Sequence, residues 1–152
     1  MGGLMVLEKD FKEFLELLGR NGVKYLPIGG YAVVAHGYSR YTKDMDIWVD
    51  ISSDNAAKIV KTLQDFGMAS LGLAEPDFLE PDTFIQIGLP PVRIDILNTV
   101  AGLDFATAYT SRIQQEIDGV QVSLIGLDDL RKNKLASGRT QDLLDYEKLG
   151  EK

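Results

Sequence analysis

Apolar residues recur at helical spacing over residues 7 to 19, where Leu7, Phe11, Phe14, Leu15 and Leu18 alternate with Glu, Lys and Asp. That period predicts an amphipathic helix, stopped by Gly22. The pattern then changes. "VKYLPI" (23–28) is a nearly unbroken apolar run that reads as a buried strand; two glycines follow, and "YAVVAHGY" reads as a short helix. "DMDIWVD" (44–50) alternates with period two. Side chains two apart share a strand face, so Asp44, Asp46 and Trp48 point one way and Met45, Ile47 and Val49 the other. Ser52 or Ser53 caps a helix running to Phe66, with Ile59, Val60 and Leu63 inward and Gly67 at its end.

Residues 72–82, rich in Pro, Gly and acid, read as a loop. "TFIQIG" and "VRIDIL" flank "LPP" and predict an antiparallel pair; in the second, Arg93, Asp95 and Leu97 share one face. Asp118-Gly119 between two alternating runs predicts a hairpin. Two helices follow over 128–137 and 140–149, separated by Gly138. Neither a repeat nor a linker interrupts this order. It predicts an α/β (α+β) architecture, a mixed β-sheet flanked by helices, as a single domain over 1–152 with its core at about 23–125 and C-terminal helices at about 127–150.

Composition narrows the chemistry. The 152 residues contain 45% hydrophobic and 26% charged residues, an ordinary globular balance. There is no cysteine and one histidine, which excludes disulfides, thiolate catalysis and a His-rich metal site within one chain. No apolar run is long enough to span a bilayer, and the N-terminus lacks the basic start and apolar core of a signal peptide, so a cytoplasmic protein without membrane partners is expected. The net charge of −7 disfavours a long nucleic acid, whose affinity comes from neutralised phosphates, but not a nucleotide.

Asp44 and Asp46 on one face would repel, and one would tend to stay protonated unless a cation sits between them. Mg²⁺ (or Mn²⁺) held by one or two carboxylates and substrate phosphates removes the conflict. If the "VRIDIL" strand neighbours "DMDIWVD", Asp95 becomes a third carboxylate, enough for two metals or for one metal and a general base. A strand running into Gly29-Gly30 and then a helix suits a phosphate, because glycine lets the backbone approach an anion closely.

The conjunction of "IGG", "DMDIWVD" and "RIDIL" resembles the nucleotidyltransferase superfamily with the DNA polymerase β-like fold. "YSRYTKDMDI" looks like the R-x-T-x-D-h-D form of small prokaryotic members, including abortive-infection type IV toxins. "KNKLASGRTQDLLDYEKL" resembles their C-terminal segment, so the likeness runs from about residue 23 to the end. The resemblance implies that Gly29 and Gly30 hold the triphosphate of an NTP, that Asp44 and Asp46 bind Mg²⁺, and that Asp95 completes the metal site and deprotonates or orients an acceptor hydroxyl. Arg40, Thr42 and Lys43 are candidate phosphate contacts. Lys134, one turn beyond Leu130 and on the same inward stripe, is another. Arg139 and Asp142 match the final signature, in a scaffold role or in direct contact. Relatives that modify antibiotics or tRNA are expected to carry a larger acceptor region than the short stretch that follows Asp142 here.

The implied activity is transfer of a nucleoside monophosphate from an NTP to a hydroxyl, in a toxin–antitoxin or phage-defence setting. The alternative is a non-catalytic nucleotide-binding module acting through a protein partner; a homodimer that builds a missing wall is also consistent. Several residues have plainer readings: His36 as a satisfied structural histidine, Trp48 and the tyrosines 31, 38 and 41 as packing, Asp50 as a strand-end residue, Lys58 and Lys61 as a solvated face, and Arg93 as the partner of a nearby acid.

Overall fold

The structure, a computed structural model, describes residues 7–38, 42–89 and 92–151. Helix α1 (Lys9–Arg20) buries Phe11, Phe14, Leu15, Leu17 and Leu18, the stripe its spacing predicts. It starts after Leu7, which is nonetheless buried and donates its N–H to Asp118 Oδ2 at 3.1 Å. Strand β1 (Tyr25–Ile28) runs directly into α2 (Gly29–Ala35), which opens at the glycines themselves. Strand β2 (Asp44–Val49) leads to α3 (Ser53–Asp65), where Ser52 Oγ caps by accepting from the Asn55 N–H. Strands β3 (Phe84–Leu89) and β4 (Val92–Leu97) form the expected antiparallel pair.

Helix α4 (Phe105–Thr110) has no counterpart in the sequence pattern. Six residues are too few to show a period; its signal is local, Asp104 capping the Thr107 N–H at 3.1 Å. Strands β5 (Ile113–Ile117) and β6 (Val120–Leu124) meet at Asp118-Gly119 and form a two-stranded sheet of their own. Helices α5 (Leu127–Ser137) and α6 (Thr140–Leu149) close the chain, with Gly138 left-handed at φ 67° between them. The stretch 72–82 is non-regular apart from a 3₁₀ turn over Glu75–Phe78, which anchors Phe78 in the core.

The main sheet has the order β1-β2-β4-β3 and is mixed: β2 and β4 are parallel, and the outer pairs antiparallel. One face carries Met45, Ile47, Val49, Ile94 and Ile96 into a core with α1 and α3. Leu26, Ile28 and Trp48 join a second core with α2, α4, Leu124, Leu130 and Leu149. The C-terminal helices are thus fastened to the sheet by apolar burial, at about 25 cal/mol per Å² of apolar surface, and this fixes the side chains they bring to the site. Among the described residues no helix is long and apolar enough to cross a membrane.

Candidate active site

The site is written into strand register. Parallel pairing sets Asp46 opposite Asp95 and Asp44 opposite Arg93. Antiparallel pairing sets Ile28 opposite Asp46, so Gly29 begins where the Asp46 side chain emerges. Gly29 has φ 68°, and a Cβ built there would collide with Asp46 Oδ2. Glycine is therefore demanded twice, by a left-handed backbone and by close approach to a carboxylate.

Asp46 and Asp95 cannot both be comfortable as anions. Burial, then the charge of Asp95 and a hydrogen bond with it, then the charge of Asp44, push the Asp46 carboxyl up to about 7, while Lys134 pulls it back. Burial also raises Asp95, opposed by Arg93. Asp44 has a different neighbour: Arg93 Nη2 donates to its Oδ2 at 2.5 Å. Arg93 Nε lies 3.4 Å from Asp95 Oδ1, and these two buried atoms have no hydrogen-bond partner in the structure.

The three carboxylates share one face but are not gathered as a ready chelate; among the described residues no group of three carboxylate or imidazole side chains stands at metal-holding distance. The physical reason is the ion pair that draws Asp44 to Arg93, the partnership with an acid that its strand position suggested. A divalent cation nevertheless fits the donors. Asp46 and Asp95 face each other with raised carboxyls, and Asp95 Oδ1 is buried without a hydrogen bond. Hard carboxylate oxygens suit Mg²⁺ or Mn²⁺.

These strands form one wall of a cleft of about 410 Å³, with Gly29, Gly30, Thr42 and Lys43 beside Asp44 and Asp46. Lys43 is exposed at the rim, and Thr42 Oγ1 donates to the Asp44 carbonyl at 3.5 Å. Arg40 and Tyr41 lie outside the described residues. The opposite wall comes from α5 and α6: Lys134, Arg139, Gln141 and Asp142. Lys134 is 3% exposed and on the inward stripe with Leu130, as its spacing predicts. Its immediate partners are carboxylates: Nζ lies 3.0 Å from Asp145 Oδ2 and 3.4 Å from Asp142 Oδ1. Arg139 Nε donates to Asp142 Oδ2 at 2.8 Å. Burial works against the Asp142 anion, but Arg139 and Lys134 together hold its carboxyl below the usual range.

Sequence reasoning missed Gln141 and Asp145. Asp145 accepts from Gln141 Nε2 at 2.9 Å, and its spacing of three from Asp142 is the signal that places both on one face of α6. His36 Nε2 lies 2.7 Å from the Ile125 carbonyl, a structural role. Trp48 stays on the strand face of the acids, as its spacing predicts, but is buried in the second core, edge-on to Phe105 with centroids 5.0 Å apart. Tyr31 packs edge-on against Phe11.

A Gly-Gly turn, aspartates on adjacent parallel strands and helices closing the cleft define a fold class, and solved structures share it. The chain has the polymerase β-like nucleotidyltransferase fold. It superposes on the lincosamide antibiotic adenylyltransferase LnuA in its lincomycin-bound form with a TM-score of 0.54 and 16% identity, over 95% of this chain and 96% of that one. The antibiotic-resistance factor ANT(2'')-Ia matches with a TM-score of 0.59 and 14% identity, over 92% and 80%. An antigenic nucleotidyltransferase-like protein from Paracoccidioides brasiliensis matches with a TM-score of 0.58 and 16% identity, over 94% and 77%. No protein-family model matches the sequence, and comparison with curated proteins gives no match. The coverage of LnuA corrects one expectation: an adenylyltransferase that acts on an antibiotic has almost no region beyond what this chain matches.

Proposed function

We propose that the protein is a metal-dependent nucleotidyltransferase that moves a nucleoside monophosphate from an NTP to a hydroxyl acceptor. The observation that carries this reading is the parallel register that sets Asp46 opposite Asp95, with Gly29 pressed against the Asp46 carboxylate at the floor of the cleft. A small-residue turn beside paired acids suits a triphosphate bridged to carboxylates by a cation. Asp46 and Asp95 would hold Mg²⁺ or Mn²⁺, joined by Asp44 once it leaves Arg93, and the bound ion would neutralise the phosphate oxygens.

In the proposed reaction the acceptor oxygen attacks the α-phosphorus, and a new O–P bond forms. The bond from that phosphorus to the bridging β-oxygen breaks, and pyrophosphate leaves with the bonding pair. Asp95, whose buried carboxyl sits above its ordinary range, takes the hydroxyl proton. The backbone at Gly29 and Gly30 orients the triphosphate, with Lys43 and Arg139 supplying positive charge at the rim. Lys134 acts through Asp142 and Asp145. Most of the rate enhancement then comes from positioning and electrostatics.

The acceptor belongs to one of three classes: a small-molecule hydroxyl, a tRNA end or a protein side chain, the last two fitting a toxin–antitoxin or phage-defence role. The test incubates the protein with each α-labelled NTP, Mg²⁺ or Mn²⁺, a host lysate and, separately, lincomycin. Label transferred by the wild type and absent with Asp46→Ala is the expected result. Nucleotide binding without transfer to any acceptor would favour a non-catalytic module working through a protein partner, a reading supported by the full pairing of Lys134. Absence of metal-dependent nucleotide binding would rule out both.

A further inference from the structure

We propose that Arg93 is an internal counter-cation that competes with divalent metal for Asp44 and Asp95, so that metal enters with the triphosphate and not ahead of it. The inference rests on the metal-site reading above. Its basis is geometric. Arg93 lies opposite Asp44 across the parallel β2–β4 pair and two residues from Asp95 on the same strand, so its guanidinium is between the two acids by register. It donates to Asp44 at 2.5 Å while its Nε stands 3.4 Å from Asp95 Oδ1 without a hydrogen bond.

The side chains of Arg93 and Asp44 are 31% and 30% exposed, so water screens their pair less than it would an open surface contact. A guanidinium stays charged at all working pH values, so protonation does not lift this competition. Only a stronger cation does. Metal already carrying a triphosphate has the Gly29 turn and the cleft as additional anchors; bare metal does not. Once Asp44 turns to the metal, Arg93 remains beside Asp95 and limits the repulsion among three carboxylates. Arg93 is thus a positioning residue, acting through the acids it holds.

The test measures Mn²⁺ binding by the electron paramagnetic resonance of free Mn²⁺, with and without ATP, on the full chain. The proteins are wild type, Arg93→Gln, Arg93→Lys and Asp46→Asn, with thermal melts to verify folding. Arg93→Gln should bind Mn²⁺ alone about tenfold more tightly than wild type, the effect of removing one partly screened charge. Arg93→Lys should stay near wild type, and the gap should narrow with ATP. Folded Arg93→Gln with unchanged or weaker Mn²⁺ binding overturns the proposal, while loss of binding in Asp46→Asn in the same experiment would leave the metal site standing. If wild type and Asp46→Asn bind Mn²⁺ equally with and without ATP, the metal-site reading fails and this inference with it.

Discussion

Gly29 concentrates two constraints in one residue. Its φ of 68° and the nearness of Asp46 Oδ2 leave no room for a side chain. Gly29→Ala should lose roughly 2–4 kcal/mol of folding stability, combining left-handed strain with a steric clash. Gly37, at φ 99° with open space around it, isolates the backbone part, and Gly37→Ala should cost only about 1 kcal/mol. In an Asp46→Ala background the Gly29→Ala penalty should fall toward that lower figure. Urea denaturation of the four proteins closes the cycle. The Gly-Gly turn and the acids were legible in the sequence because a tight strand-to-helix turn and a shared strand face leave marks in residue type and spacing. The tie between Asp44 and Arg93 was legible only as a generic acid partner, since choosing among neighbouring acids needs cross-strand register.

At the scale of elements, α5 and α6 are held to each other and to the cleft by Lys134 between Asp142 and Asp145. Removing the buried cation takes the positive charge from between two buried carboxylates, of which Asp142 keeps Arg139 and Asp145 keeps Gln141 as hydrogen-bond donors. Lys134→Ala should therefore cost about 3–5 kcal/mol, the scale of a broken buried pair, and be read by chemical denaturation. Exposed pairs such as Lys58–Asp54 should contribute almost nothing by comparison. The boundaries of these helices were readable from Gly138 and apolar spacing. The carboxylate clasp was not, because an inward lysine among helical residues looks the same whether a phosphate or an aspartate awaits it. Helix α4 escaped for a different reason: one capped turn and a half carries too few positions for a period to emerge.

The whole molecule should register its site in the pH dependence of stability. Folding raises Asp46 to about 7, so between the ordinary carboxylate range and about pH 7 the metal-free folded state keeps a proton that the unfolded chain has already released. Stability from this group is therefore fully present below about pH 4 and is lost as pH rises through about 7. Asp142 works with the opposite sign: its depressed carboxyl stabilises at neutral pH and loses that contribution as pH falls. In chelator, thermal melts from pH 4 to 8 should show Asp46→Asn gaining on wild type by about 2 kcal/mol toward the alkaline end, a figure reduced for partial exposure. The parallel β2–β4 pair has a consequence in time as well. Asp44 and Arg93 are separated by 49 positions along the chain. A parallel pairing across that span closes a long loop and belongs to the slow, non-local part of folding. A chain emerging from the ribosome thus carries its acids on separate, unpaired segments, and any activity is withheld until the central strands have zipped.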